Sequence, residues 1–244
     1  MENSWQTECI TSNISANEVH IWRSSISFDE DLLSSYLKTL SNDEITRSNS
    51  FYFKKDKIRY ITAKGILRNI IGRYTQLKSE TIEFVYNRFG KPYLITNQNS
   101  QKLYFNIAHS HDYVVYAFTK NIDIGVDLEL CQDISDLEEV AEYFFSCDEY
   151  LYLQTLSDKK KQDYFYKIWT LKEAFVKATG LGLSYDLRQI SIEYLQNNNC
   201  KVSLGNDKKM HYKWTLQTFL SYENYSSAFA TNQRINNVLF LNLD

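Results

Sequence analysis

The segment IDIGVDLEL, residues 122–130, sets the hardest condition on how this chain can fold. Its aliphatic and β-branched residues read as a buried strand, yet Asp127 and Glu129 stand inside it. Side chains alternate along a strand, so these two carboxylates project from the same face. Two like charges held together out of water force one of them to protonate, or require something positive between them. Whatever packs on that face must therefore answer a negative charge.

A second segment offers the answer. KKQDYFYKIWTLKEAFVKATG, residues 160–180, reads as one long helix closed by Gly180 in a C-cap position. Glu173 and Lys177 are four residues apart and share a helix face. Three carboxylates converging from a strand and a helix would suit a small hard cation such as Mg²⁺, which takes few protein oxygens and completes its shell with water and phosphate oxygens. Lys177 beside such a site would neutralise a phosphate touching the metal. The triplet DLE alone is common and usually faces water at a strand end; the weight comes from its pairing with the helix motif.

Charge is distributed to match. Net charge is only −3 at pH 7, which does not suggest a nucleic-acid binder. Residues 54–78, however, carry Lys54, Lys55, Lys57, Arg59, Lys64, Arg68, Arg73 and Lys78 against the single acid Asp56, whereas residues 127–149 carry acids and no base. These are either two complementary solvated faces or an anion site beside a cation site. No apolar run approaches a membrane span, no secretory signal is visible at the start of the chain, and Cys9, Cys131, Cys147 and Cys200 are scattered without a CxxC pair. A cytoplasmic protein with reduced thiols and no structural zinc is expected. The pair of histidines in HSH, residues 109–111, has no cysteine near it and is a poor zinc candidate.

The remaining pattern is mixed. EVHIWRSSI (18–26) reads as a strand, Ser41 and Glu44 have capping-box spacing at the start of a short helix, and Lys55–Tyr74 carries apolar residues at helical spacing under a basic outer face. IEFVY (82–86), KLYFNIAHS and DYVVYAF read as strands, the last two around a turn near His111–Asp112, with Gly90 and Pro92 marking a turn. Residues 136–145 and 146–156 suggest two short helices, and QISIEYL, YKWTLQTFL, SSAFAT and NNVLFLN suggest closing strands. The layout predicts an α+β fold in two halves, each a long helix with an antiparallel sheet, divided near residues 110–120. There is no repeat in the letters, no GxSxG nucleophile and no P-loop.

Taken in order, IGVDLE and WTLKEAFVKATGLGLS, with RFGKPYL, FNIAHS and FFSCDEY, resemble the signature set of the 4′-phosphopantetheinyl transferases, in particular their larger surfactin-synthetase-activating type. The resemblance covers roughly residues 45–195. It implies two pseudo-two-fold-related subdomains in one chain, placed here at 1–112 and 113–244, each a long helix packed on a small antiparallel sheet. It also implies coenzyme A as donor, Mg²⁺ or Mn²⁺ as cofactor, and a serine of an apo acyl or peptidyl carrier protein as acceptor. A pseudo-dimer within one chain implies a monomer. Residue by residue, Asp127, Glu129 and Glu173 match the family's metal carboxylates, and Lys177 its pyrophosphate lysine. His109 matches the histidine at the 3′-phosphate and Lys91 a lysine of the nucleotide pocket; Arg47 and Arg59 fall where the family places basic residues for that phosphate. Glu149 matches an acidic residue near the metal. The acceptor serine's proton goes to Glu173, to Glu149 or to a water on the metal, and sequence does not choose. Leu137 and Val140 fall where the family meets its acceptor. Ala108 replaces a family serine, so a hydroxyl contact beside His109 is missing, and Tyr60 replaces a family threonine, which bears on one adenine or ribose contact and not on the chemistry.

Two other functions use the same residues. One is a different Mg²⁺-dependent phosphotransferase or nuclease; the other is a coenzyme A-binding module without catalysis.

Overall fold

A computed structural model describes residues 4–7, 13–182, 185–194, 199–205 and 214–243. In chain order the elements are β1 (Trp5–Thr7), β2 (Glu18–Ser25), α1 (Glu30–Leu37), α2 (Asn42–Asn49), α3 (Lys54–Thr75), β3 (Phe84–Tyr86), β4 (Pro92–Leu94), β5 (Leu103–Ser110), β6 (Tyr113–Lys120), β7 (Ile124–Leu130), α4 (Leu137–Phe144), α5 (Cys147–Gln154), α6 (Asp158–Thr179), β8 (Ile190–Tyr194), β9 (Asn199–Leu204), β10 (Thr215–Thr218), β11 (Tyr225–Thr231) and β12 (Asn237–Asn242). The α+β class follows directly. Strands order as β1-β12-β2-β6-β5 in one sheet and β7-β11-β10-β9-β8 in the other, with β3-β4 as a separate ribbon.

The turn at His111–Asp112 lies inside the first sheet, because β6 pairs with β5 and β2, and the chain passes to the second sheet at β7. One expectation needs correction: the first sheet is not purely antiparallel. β12 returns from the end of the chain to pair parallel with β2, and β1 adds parallel to β12.

Pleating explains how the two sheets share a core. On β6, Val114, Tyr116 and Phe118 face the α3 side with Ile58, Leu67 and Ile71, while Val115 and Ala117 face the second sheet. β6 is thus buried on both faces, which is why it reads as a continuous apolar run. On β7, Ile124, Val126 and Leu128 join Val19, Ile21, Val115 and Ala117 in the core between the sheets. The alternate residues Gly125, Asp127 and Glu129 are left for the opposite face, where α6 lies. On that same sheet face α6 buries Ile168, Leu171 and Phe175 with Ala228 and Ala230 of β11, the cross-strand partners of Asp127 and Gly125.

The halves repeat one device. Ser41 and Glu44 form a capping box at the start of α2, and Ser146 and Glu149 form another at the start of α5. Each buried glutamate then pairs with a buried cation on the following long helix: Glu44 with Arg68 at 2.7 Å, Glu149 with Lys172 at 2.6 Å. Arg68 goes on to donate to the carbonyls of Ser79 and Ile82, Lys172 to those of Phe144 and Leu187. Both long helices end in a left-handed residue, Gln76 and Gly180, the usual way to satisfy terminal carbonyls. Cys131, Cys147 and Cys200 are free thiols; Cys9 lies outside the described residues.

β7 can approach α6 only because residue 125 is glycine. A Cβ there would stand 2.0 Å from the Ala174 carbonyl oxygen and 2.3 Å from the Ala178 nitrogen, and neither backbone atom can yield without moving the helix. Gly125→Ala is expected to destabilise the chain by about 1–3 kcal/mol or more, read from the midpoint of urea unfolding. An unshifted midpoint would show that the helix and strand are not in register-fixing contact.

Candidate active site

The face left open by the pleat of β7 collects the charged residues. Asp127 is 3% exposed, and its Oδ1 accepts a hydrogen bond from Lys177 Nζ of α6 at 2.6 Å. Glu129 lies two residues on, with Oε2 accepting from Ser110 Oγ at 3.2 Å. Glu173 stands one helical turn before Lys177. The strand's free edge is closed by side chains of β5 rather than by another strand: Val126 N donates to Asn106 Oδ1 at 3.0 Å and Leu130 N to Ser110 Oγ at 3.1 Å. Ser110 therefore holds both the backbone and the carboxylate of this segment, and Asn106 and Ser110, four apart on one strand face, were not singled out by sequence reasoning although both lie in the motif FNIAHS.

The electrostatics record the crowding. Burial, reinforced by Asp127 and by Glu173, pushes the Glu129 carboxyl up to about 7. Burial and then Asp127 likewise raise Glu173. Burial alone would lower the Lys177 ammonium, but Asp127, Glu173 and Glu129 together raise it. These are the mutual shifts expected of acids gathered around one cation. Among the described residues no group of three or more His, Cys, Asp or Glu side chains is closed into a metal-ligand set; Lys177 is instead the cation that meets Asp127. The donor chemistry nevertheless suits a hard divalent ion, and Asp127 Oδ2 is a buried carboxylate oxygen with no hydrogen-bond partner. An orphaned anion oxygen of this kind is costly unless a cation or water satisfies it.

A basic side adjoins the acids. His109, on β5, is held below its ordinary value by loss of water and by the positive charges of Lys177 and Arg59, with Asp127 pulling the other way. Arg59 of α3 pairs with Asp56 at 3.2 Å and lies 3.6 Å from Asp112; its Nε is buried without a partner. The structure thus brings together Asp127, Glu129, Glu173, Lys177, His109 and Arg59, residues spread over more than a hundred positions of sequence.

Three expected site residues go elsewhere. Glu149 is the structural glutamate of the α5 capping box: its Oε2 takes Lys172 and the Ser146 N–H, its Oε1 the Ile192 N–H at 2.7 Å. With every oxygen engaged and 2% exposure, it does not face the acid cluster. Lys91 does not face an open pocket either; its Nζ donates to the carbonyls of Ile124 and Ala178, both at 3.0 Å. Arg47, exposed on the last turn of α2, stacks its guanidinium 5.6 Å from the Phe51 ring. Phe51 in turn contacts Tyr60, the residue standing where the family has threonine. Leu137 and Val140 pack half-buried against the core of the second half.

Comparison with known proteins places the chain in a family. Residues 123–230 match the 4′-phosphopantetheinyl transferase superfamily model, and residues 21–121 match the model for the 4′-phosphopantetheinyl transferase N-terminal region. The chain is 37% identical over 192 residues to the 4′-phosphopantetheinyl transferase HetI of Nostoc sp., covering 79% of this chain and 81% of that one. It is 31% identical over 188 residues to the 4′-phosphopantetheinyl transferase Sfp of Bacillus subtilis, covering 77% and 81%. Among solved structures it is similar to the holo-[acyl-carrier-protein] synthase of Neisseria meningitidis, at 22% identity and a TM-score of 0.38 over 46% of this chain and 97% of that one. The chain belongs to the 4′-phosphopantetheinyl transferase superfamily. Among the described residues no helix is long and apolar enough to cross a membrane.

Two outcomes follow from the site's charges. Glu129 keeps its proton in the folded chain up to about pH 7, against an ordinary 4.5, so its contribution to stability is present below pH 4.5 and is lost as pH rises through 7. Thermal melts without divalent metal should show Tm falling across that window, less steeply in Glu129→Gln; equal slopes would contradict the shift. Glu149→Ala leaves Lys172 buried without its counter-ion and should cost about 3–5 kcal/mol in urea unfolding, while divalent-ion binding to the folded variant stays at the wild-type level. Loss of metal binding with full stability would return Glu149 to the site.

Proposed function

We propose that this chain transfers 4′-phosphopantetheine from coenzyme A to a serine hydroxyl of an apo acyl or peptidyl carrier protein, releasing adenosine 3′,5′-bisphosphate. The observation that carries this reading is the meeting of Asp127, Glu129, Glu173 and Lys177 across β7 and α6, in a chain whose relatives are named as 4′-phosphopantetheinyl transferases.

Asp127, Glu129 and Glu173 are the residues that would hold Mg²⁺ or Mn²⁺; such an ion, when bound, neutralises charge on the diphosphate of the donor. The partnerless Asp127 Oδ2 supports that assignment. Lys177 is the fixed cation beside them, kept protonated by the three acids, and it places a second positive charge where negative charge grows on the departing bisphosphate. Arg59 and His109 form the side that receives the 3′-phosphate. Because the His109 ring is held below its ordinary value, it acts there as a neutral hydrogen-bonding group and Arg59 supplies the charge.

The chemical step is an in-line exchange. The serine oxygen bonds to the β-phosphorus, the bond from that phosphorus to the bridging oxygen breaks, and the electron pair leaves with adenosine 3′,5′-bisphosphate. The serine proton goes to a carboxylate, and Glu173 suits this better than an ordinary glutamate, since a raised pKa makes a stronger base. Glu149, spent on Lys172 and two backbone N–H groups, is not the base in this reading. Both halves of the site come from one chain, so a monomer suffices, and a cytoplasmic location fits an enzyme that draws on coenzyme A.

The test mixes the protein with coenzyme A, Mg²⁺ and a panel of apo carrier proteins and reads intact masses. Wild type should add phosphopantetheine to at least one carrier, and Asp127→Asn should be slower by ~10²–10³. Modification at near-normal rate by Asp127→Asn would remove the acid cluster from the mechanism. Turnover of nucleotides or nucleic acid without any carrier would point to the rival phosphotransferase or nuclease.

A further inference from the structure

The turn between β3 and β4 belongs to the first half of the chain, yet two of its polar side chains, Asn87 and Lys91, reach the second. Asn87 organises the turn: its Oδ1 accepts from Phe89 N at 2.9 Å and Lys91 N at 3.0 Å, and its backbone pairs with Lys91 and Gly90. Its remaining donor, Nδ2, reaches the Gly180 carbonyl at the C-cap of α6, at 2.8 Å. Lys91 extends beside it, 8% exposed, and donates from one ammonium to two carbonyls: Ala178, in the last turn of α6, and Ile124, the first residue of β7, each at 3.0 Å. The ammonium at the end of α6 is also favoured by the partial negative charge of a helix C-terminus.

Ile124 and Ala178 are far apart in sequence and adjacent in space. They bracket Gly125, where strand and helix come so close that no Cβ fits. Lys91 therefore fastens strand to helix at their closest point. Asp127 and Glu129 follow Ile124 on the same strand; Lys177 immediately precedes Ala178, and Glu173 lies a little over one turn earlier. The spacing between the two sets of site residues is set at this junction.

We infer that Lys91, with Asn87, is a positioning residue for the divalent-cation site: a clamp contributed by the first half that fixes β7 against the C-terminal end of α6 and so fixes the carboxylates of the strand relative to Glu173 and Lys177. This rests on the metal reading proposed above. It differs from a direct nucleotide contact in what each substitution should change. A lysine that held the nucleotide would matter to nucleotide binding whether or not metal is present. A clamp matters to the metal, because outer-shell residues that orient ligands typically govern metal affinity by 10–100-fold.

The experiment measures two equilibria on the full chain: Mn²⁺ binding, from the electron paramagnetic resonance signal of free Mn²⁺, and binding of adenosine 3′,5′-bisphosphate without metal, by calorimetry. In Lys91→Met, which keeps the stem and removes the donor, Mn²⁺ affinity should fall by ~10-fold or more while bisphosphate affinity stays within about twofold of wild type; Lys91→Arg should recover part of the metal affinity. Should Lys91→Met fail to fold, Asn87→Asp keeps the turn's acceptor, replaces the donor to Gly180 with a carboxylate oxygen that its carbonyl repels, and should lower Mn²⁺ affinity in the same direction. Reduced bisphosphate affinity with unchanged Mn²⁺ affinity would overturn the inference in favour of a nucleotide contact, and unchanged values for both would overturn it outright. Mn²⁺ binding that survives Asp127→Asn in the otherwise wild-type chain would overturn the metal reading and the clamp together, whereas loss of binding there with retention in Lys91→Met overturns the clamp alone.

Discussion

The site depends on one ion pair. Asp127 is withdrawn from water on a strand, and Lys177 meets it from a helix at 2.6 Å. Placing a carboxylate at so enclosed a position is expensive unless its charge is answered and its oxygens are bonded. Lys177 answers one oxygen and leaves the other without a partner. The rest of the local structure serves that arrangement: Gly125 lets strand and helix touch, Leu128 and Val126 anchor the opposite face of β7 in the core between the sheets, and Ser110 steadies Glu129 from β5. Glu129 and Glu173, drawn into the same volume, are harder to ionise than free glutamates. The result is a cluster with one fixed positive charge and capacity for another.

The two halves share a frame and carry different loads. β2 pairs with β6 as β7 pairs with β11, each half opens its short helix with a capping box, and each buries a glutamate–cation pair under its long helix. Aligned by those landmarks, Trp22 and Ser24 of β2 occupy the positions of Asp127 and Glu129 in β7, while Asn69 and Arg73 of α3 occupy those of Glu173 and Lys177 in α6. The first half thus holds no acids at the matching places, and its cation rests on an aromatic ring instead, with the Arg73 guanidinium 5.8 Å from Trp22. What the first half contributes is the basic side, Arg59 and His109, together with the clamp from the β3–β4 turn.

Much of this was legible because it obeys local periodicity. The long helices, the capping box at Ser41, the strands β2, β5, β6 and β7 and the left-handed stop at Gly180 all lie where spacing alone places them. What escaped was short or non-local. α1 buries none of its residues and so has little apolar stripe to read; β1 is three residues long. The parallel return of β12 to β2 joins the two ends of the chain, which no local pattern encodes. Lys91 sits in a Gly-Lys-Pro turn that reads as solvent-facing; its partners Ile124 and Ala178 come to it from 33 and 87 residues away. Glu149 carried its own signal: Ser146 and Glu149 have the same capping-box spacing as Ser41 and Glu44, and that spacing argues for a helix start rather than for catalysis. The acids of the proposed site stand out in the sequence because a buried strand and a helix face offer carboxylates little structural use.

The central claim is that acids of β7 and α6 jointly hold a divalent ion at the diphosphate of coenzyme A. The most direct measurement is anomalous diffraction from crystals grown with Mn²⁺ and coenzyme A. The account predicts a manganese peak bounded by the carboxylates of Asp127, Glu129 and Glu173, with diphosphate oxygens on its open side and Lys177 turned toward them. A peak elsewhere, or coenzyme A bound in the cleft with Lys177 still closed on Asp127 and no manganese beside it, would contradict it.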